Sequence, residues 1–171
     1  MVESSQKYNR IEAGKLVWSK INEWVYNTFY LDLNKYLDNI WQHYFNDVPC
    51  VNEVQIAYCH PWKRRLGLIR LSLDNRISFI GINALLQHEQ VPKYVLITTI
   101  AHELTHYAHG FGSPLPRLYA HPHANNTVNR ELERRGLGED AHRCDEWVDK
   151  YWFAFYYKQR EAGWSGILKN P

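Results

Sequence analysis

Apolar side chains recur at helical spacing through the first part of the chain, at Ile11, Leu16, Val17, Ile21, Trp24, Val25, Leu33, Tyr36, Leu37, Ile40 and Trp41. Side chains three and four positions apart share one face of a helix, so this spacing is typical of helices that bury one face. We predict two helices between residues 9 and 45, with a break near residues 28–32.

The pattern shortens after Asp47-Val48-Pro49 into three segments that are rich in apolar residues, 51–58, 66–73 and 77–82. Runs of this length, separated by turn residues such as Asp74-Asn75, are typical of strands. We predict that the three strands form a small antiparallel sheet, each strand paired with the next.

The next apolar segment, residues 95–109, has Pro92 just before it and Gly110 just after it. Proline is favoured near the start of a helix and glycine just past its end. Because apolar residues surround the predicted helix, we expect it to be largely buried. A loop over residues 110–122, a short helix over 128–135 and an aromatic helix over 139–160 complete the prediction.

Helices, then a small sheet, then further helices indicate an α+β fold in a single domain of 171 residues. We divide the domain into an N-terminal helical part (1–46), a core (50–138) and an aromatic C-terminal helix (139–171). The composition, 45% apolar and 15% aromatic, supports a folded core and argues against disorder. A net charge of +2 does not by itself indicate a nucleic-acid-binding protein.

Three cysteines, Cys50, Cys59 and Cys144, lack metal-binding spacing and cannot all pair with one another. Free thiols in a reducing compartment are therefore expected. No apolar run approaches the roughly 18 residues of a membrane span, and residues 1–10 contain no apolar signal core. We expect a cytoplasmic protein with no membrane partner.

The predicted buried helix carries the sequence His102-Glu103-Leu104-Thr105-His106. Two histidines four residues apart lie on one helix face, about 6 Å apart, so their imidazoles can converge on one metal ion. Glu103 lies about 100° around the helix from His102, where it can reach a water molecule without being a ligand. Zinc hydrolases divide these roles in the same way, so we predict a Zn²⁺ site with Glu103 as the general base and acid.

A catalytic zinc ion takes three protein ligands and leaves one position open. His121 and His123 both follow the helix across the proline-rich loop. If Pro122 begins the next helix, His121 shares a face with the apolar Val128 and Leu132, whereas His123 lies on the polar side. This geometry favours His121 as the third ligand and keeps His123 as the alternative.

Other residues could complete the site. Some zinc peptidases take the third ligand from a later helix, which here offers His142, Asp145 and Glu146. A donor to the developing oxyanion is also expected, and the sequence leaves the choice open among His109, Arg117 and Tyr119.

Four segments match one known pattern: Lys63-Arg64-Arg65-Leu66-Gly67, residues 80–86, residues 100–106, and Arg130-Glu131-Leu132. Over residues 62–138 the chain thereby resembles the SprT-like zinc metallopeptidases. The resemblance implies a zincin-like fold and hydrolysis of a protein or peptide substrate.

Carried over position by position, the resemblance makes His102 and His106 the zinc ligands of the helix and Glu103 the catalytic acid and base. The third ligand falls on His121. The sequence differs from the family pattern at two positions: Pro122 follows His121 where the family has glycine, and Asn125 occupies the position where the family has an aromatic residue.

These departures motivate an alternative function, a zinc-binding interaction module with little or no turnover. In that reading both His121 and His123 bind the metal and no position stays open. A further alternative is nucleic-acid association through the local cluster of Arg64, Arg65, Arg70 and Arg76.

Overall fold

The computed structural model describes residues 32–164, apart from the side chain of Ala124. Its elements are the helices α1 (Leu33–Tyr44), α2 (Lys93–Ala108), α3 (Thr127–Arg134), α4 (Gly138–Trp147) and α5 (Phe153–Glu161), and the strands β1 (Glu53–Cys59), β2 (Gly67–Leu71) and β3 (Ile77–Asn83). The fold is α+β, as predicted. The first of the two predicted N-terminal helices lies outside the described residues.

Within residues 32–164, no helix has both the length and the apolar character needed to cross a membrane.

The sheet is mixed, with the strand order β1-β3-β2. Strands β2 and β3 pair antiparallel, with Gly67 opposite Ile82, but β1 runs parallel to β3, with Glu53 opposite Ile77. The prediction of an all-antiparallel sheet is therefore wrong for β1. It assumed that β1 and β2 form a hairpin, whereas the chain between them crosses the end of β3 and places β2 on the far side.

A single asparagine holds this crossing in place. Asn83, the last residue of β3, is fully buried, and its Nδ2 donates to the carbonyl oxygens of Trp62 (2.8 Å) and Arg65 (2.7 Å). Its Oδ1 accepts a hydrogen bond of 3.0 Å from the N–H of Leu85. Residues 60–66, which we name the basic loop, are thereby fixed across the end of the central strand.

Helix α2 passes through the centre of the core, and six of its apolar side chains are almost completely buried: Val95, Leu96, Ile100, Ala101, Leu104 and Tyr107. The helix starts directly after Pro92 and ends before Gly110, which has a positive φ of 77°. A Cβ atom on residue 110 would overlap the carbonyl group of Pro116, so only glycine fits there. The predicted burial and bounds of this helix are confirmed.

The aromatic C-terminal helix runs from Gly138 to Glu161 but contains a π-helical turn at Val148–Trp152. Its existence was predicted and the π turn was not. Trp152 is buried, and its indole Nε1 donates to the carbonyl oxygen of Lys63 at 2.8 Å. The C-terminal helix therefore supports the basic loop together with Asn83.

A buried arginine ties the end of α3 to the segment after α1. The side chain of Arg135 is 5% exposed and pairs with Asp47 at 2.6 Å and with Glu131 at 2.8 Å. Its guanidinium also donates to the carbonyl oxygen of Tyr44 and lies 4.2 Å from the ring centroid of Phe45. Removing Arg135 leaves the half-buried Glu131 paired with only the exposed Arg134 among the described residues.

Replacing Arg135 with methionine is expected to lower the free energy of unfolding by about 2–3 kcal/mol, less than the roughly 3–5 kcal/mol of a broken fully buried ion pair, because Asp47 is half-exposed. Urea unfolding at neutral pH measures the change. Arg134→Met is the matched control, since Arg134 contacts the same Glu131 from an exposed position, and about 0–1 kcal/mol is expected there. Equal losses in the two variants would contradict a special role for the buried arginine.

The same network predicts the sign of a pH effect. The hydrogen bond from Arg135 lowers the pKa of Asp47 below its ordinary 3.8, and the hydrogen bond from Arg134 lowers that of Glu131 below 4.5. A carboxylate with a lowered folded-state pKa contributes stability above its ordinary pKa and loses it as the pH falls. The difference in the free energy of unfolding between the native protein and Arg135→Met should therefore shrink below about pH 4.

Candidate metal centre

The two helix histidines lie together as the sequence predicted. His102 and His106 occupy successive turns of α2, with their Nε2 atoms 3.1 Å apart and their ring centroids 4.7 Å apart. Two nitrogens bound at about 2.0–2.1 Å to one tetrahedral zinc ion lie about 3.3 Å apart, so the observed spacing suits a shared ion. It also suits an N–H···N hydrogen bond, and a third ligand is needed to distinguish the two.

The third imidazole is that of His123. Its ring centroid lies 5.4 Å from that of His102 and 4.7 Å from that of His106. One ligand atom from each of the three histidines lies within 4.8 Å of the other two, and the group could hold a metal ion. A hydrogen-bonded pair has no need of this third ring, whereas a metal ion does.

His121 is exposed and does not belong to this group. The structure thus groups His123, the alternative that the sequence kept open, with the helix histidines and leaves the favoured His121 outside. The reason is the start of α3. Pro122 does not begin the helix, which starts five residues later at Thr127, so the comparison of helical faces does not apply to either histidine.

Two asparagines in left-handed backbone conformations separate His123 from α3. Asn125 has φ 53° and Asn126 has φ 58°, and asparagine is among the few residues that tolerate this region. The pair interrupts any helical path from Pro122 before the helix begins at Thr127. The Asn-Asn sequence was the signal that sequence reasoning could have used, because it is a turn signal between Pro122 and the short helix predicted over residues 128–135.

Several contacts bring the loop of residues 110–123 back onto the end of α2. The Ser113 hydroxyl donates to the carbonyl oxygen of Tyr107 at 2.6 Å. The N–H of Leu118 donates to the carbonyl oxygen of His109 at 3.1 Å. The Tyr119 ring packs edge-on against the ring of His109, with centroids 4.8 Å apart. The loop is therefore anchored before it reaches His123.

Burial keeps the two helix imidazoles neutral. It is the largest cause that lowers the pKa of His102 to about 4, and the charge of His123 adds to it. Burial likewise lowers the pKa of His106 to about 3, with further contributions from His102, His123 and His109. Neutral imidazole is the form that binds a metal ion, so the rings are in the ligand form across the physiological range.

The donor set fits a first-row divalent ion. Three imidazole nitrogens suit zinc, and also copper, nickel and iron, and the group contains three histidines with no fourth side chain of residues 32–164. The Nδ1 atom of His106 is buried and has no hydrogen-bond partner among the described residues. It therefore lacks the acceptor that usually orients a ligating histidine.

Glu103 lies beside these histidines on α2 but outside the group. It is 4% exposed, and burial raises the pKa of its carboxyl group to about 8. The carboxyl packs closely against β2, since a Cβ atom built on Gly67 would lie 2.7 Å from Glu103 Oε1 and 2.9 Å from Thr99 Cγ2. Sequence reasoning noted Gly67 within the basic segment and missed this contact.

The remaining candidates are not members of the group of three histidines. His142 and Glu146 are exposed and pair with each other at 3.4 Å on α4, and Asp145 lines a cavity between α3 and α4 together with His142. His109 is buried at the end of α2 and Arg117 lies 5.5 Å from the Phe111 ring centroid. The structure therefore gives no support to a third ligand from the C-terminal helix.

The centre thus consists of two imidazoles from a buried helix, one from an anchored loop, and a buried carboxyl group next to them in the helix sequence. Only the loop histidine differs from the set that the sequence favoured. Comparison of the chain with protein-family models, with curated proteins and with solved structures finds no match to any of them.

Proposed function

We propose that the protein is a zinc-dependent metallopeptidase of the SprT-like type, in which His102, His106 and His123 hold the metal and Glu103 is the general base and acid. The observation that carries the proposal is the group of three histidines built around the His-Glu-x-x-His helix. This arrangement combines the ligand number of catalytic zinc sites with a carboxyl group outside the ligand set.

The number of ligands favours catalysis over a closed interaction module. A structural zinc site is filled by four protein ligands, whereas a catalytic one has three and leaves a position for water. The closed alternative required His121 and His123 to bind together, and His121 does not belong to the group. Three histidines therefore support the hydrolytic proposal.

When bound at these residues, zinc supplies Lewis-acid activation of water and of the scissile carbonyl group. Glu103 takes the proton from the attacking water and delivers it to the leaving amine. A group that both accepts and returns a proton works best when its pKa lies near the working pH, and burial moves the pKa of Glu103 to about 8. The positive charge of zinc, when bound at the histidines, would lower the pKa of Glu103 and favour the carboxylate, which is the form that can accept the proton.

The position of β2 supports a peptide as the substrate. This strand lies at an edge of the described sheet, and its first residue, Gly67, lies against the Glu103 carboxyl group. An edge strand has unpaired backbone groups to which an extended peptide can add. A peptide bound there passes close to Glu103.

We place the protein in the reducing cytoplasm. Cys50, Cys59 and Cys144 all lie within the described residues and all are free thiols. Unpaired cysteines are the usual state in a reducing compartment.

The proposal is tested by measuring zinc content and the hydrolysis of fluorescein-labelled casein in the native protein and in Glu103→Gln. Hydrolysis at the native rate in the variant would sink the assignment of Glu103.

A Gly67→Ala variant is expected to lose hydrolysis about a hundredfold while keeping its zinc, because the added methyl group displaces the Glu103 carboxyl and a misplacement of about 1 Å can cost that much. Zinc content and casein hydrolysis are the two readouts. Gly67→Ala/Thr99→Ser is the informative partner, since serine keeps the hydroxyl and removes the Cγ2 methyl that also crowds the site. Full recovery in the double variant would show that Thr99, and not Glu103, was disturbed.

A further inference from the structure

The basic loop presents three consecutive cations, Lys63, Arg64 and Arg65, between β1 and β2. Arg64 and Arg65 are exposed and Lys63 is half-buried. Among residues 32–164, none of the three forms an ion pair with an acidic side chain. The charges of Arg64 and Arg65 are therefore open to a ligand, whereas Lys63 packs against the ring of Tyr157.

The backbone of the loop is held by two side chains from different elements, which leaves its arginine side chains exposed. Asn83 binds the carbonyl oxygens of Trp62 and Arg65 and Trp152 binds that of Lys63. A loop fixed in this way loses little conformational entropy when a ligand binds.

A fourth cation joins the group on α5. The pKa of the Tyr157 hydroxyl is lowered, first by a hydrogen bond with Lys63 and then by the charges of Lys63, Arg160 and Arg64. The Lys63 ammonium also lies 4.8 Å from the centroid of the Tyr157 ring. Cations from the loop and from the helix therefore converge on one surface around Tyr157.

This surface adjoins the proposed catalytic carboxyl group. Arg65 is two residues before Gly67, so their Cα atoms are at most about 7 Å apart, and Gly67 lies against Glu103. A peptide that passes Glu103 along the start of β2 brings its next side chains within reach of the loop arginines.

We propose that the basic loop binds acidic side chains of the substrate, so that the protein prefers peptides with aspartate or glutamate beside the scissile bond. This inference rests on the proposed peptidase function and names its substrate class. Lys63, Arg64 and Arg160 beside Tyr157, with Arg65 next to Arg64 in the loop, suit one or two carboxylates, whereas a nucleic-acid site with about six to ten phosphate contacts needs more cations. The net charge of +2 also argues for a local acidic ligand.

The test measures binding without turnover. Fluorescein-labelled peptides of alternating alanine and glutamate, or alanine and glutamine, are titrated with zinc-loaded Glu103→Gln protein and followed by anisotropy. The glutamate peptide is expected to bind about tenfold more tightly, since each exposed ion pair contributes a factor of up to about five. The preference should weaken as sodium chloride is raised.

The loop is tested by charge reversal in the same background. Arg64→Glu/Arg65→Glu should remove the preference and Arg64→Lys/Arg65→Lys should keep most of it. Lys35→Glu/Lys93→Glu is the matched control, because it changes the net charge equally at exposed sites on α1 and at the start of α2. A preference that survives the loop reversal, or disappears in the control, overturns the proposal.

Three further outcomes are decisive. If labelled oligothymidylate binds more tightly than the glutamate peptide and depends on the same arginines, the surface is a nucleic-acid site and the proposal fails. Casein hydrolysis without any peptide preference refutes this inference and leaves the peptidase intact. A glutamate preference without hydrolysis by the native protein refutes the peptidase and leaves the selectivity of the loop standing.

Discussion

Replacement of Glu103 by glutamine is expected to lower casein hydrolysis by about 10²–10⁴-fold, the usual contribution of a positioned acid or base, while the zinc content stays at the native level. Glutamine has nearly the shape of glutamate but cannot take up a proton at neutral pH. The metal should remain because the three clustered histidines hold it in this proposal and Glu103 lies outside that cluster. Hydrolysis assays and metal analysis of the same preparation measure both quantities.

Glu133→Gln is the matched control, since Glu133 is an exposed carboxylate on α3 and should keep native hydrolysis. The Glu103 variant should be at least as stable as the native protein, because a neutral amide replaces a carboxyl group whose ionisation is opposed by burial. Loss of zinc from the Glu103 variant would mean that this residue helps to hold the metal, and the division of roles would then be wrong.

Removal of His123 should weaken zinc binding by more than about a hundredfold, beyond the 10–100-fold typical of residues that only orient ligands. His121→Ala should leave the affinity unchanged, because His121 lies outside the group. The two substitutions change the same kind of exposed side chain two positions apart in one loop. A competition titration against a chromophoric chelator measures the affinity of each variant.

The opposite pattern would be equally informative. Strong loss with His121→Ala and retention with His123→Ala would restore the ligand that helical geometry favoured and would require the loop to rearrange when metal binds. Strong loss in both variants would indicate a four-histidine site with no open position, and the interaction module would replace the peptidase as the better function.

The positions of His102, Glu103 and His106 could be predicted because their relation is local. Once a helix forms, the spacing of residues three and four apart is fixed by its geometry, and the apolar pattern around α2 was strong. His123 differs because its position depends on the backbone dihedral angles of Asn125 and Asn126. No periodic pattern encodes these angles. The comparison of helical faces assumed that a helix begins at Pro122, so it assigned the two histidines to faces of a helix that starts only at Thr127.

The sheet shows the same limit at longer range. The three strands were located within a few residues and the antiparallel pair of β2 and β3 was predicted, but the pairing of β1 was wrong, because it depends on how the chain travels between β1 and β2. That path is fixed by hydrogen bonds from Asn83 to residues 18 and 21 positions earlier. Side-chain contacts at such separations leave no trace in local hydrophobic spacing.

The hydrogen bonds of Asn83 restrict which side chains can replace it at the end of the central strand. Its amide uses two N–H groups toward the loop and its oxygen toward Leu85, so the site requires two donors and one acceptor in a side chain of that length. Aspartate offers only acceptors when ionised, serine has one donor, and leucine has neither. Any of these replacements leaves at least one of the two loop carbonyl groups without its hydrogen bond from residue 83. The loop that carries the arginines, and through it the strand beside Glu103, thus depends on a residue that contacts neither metal nor substrate.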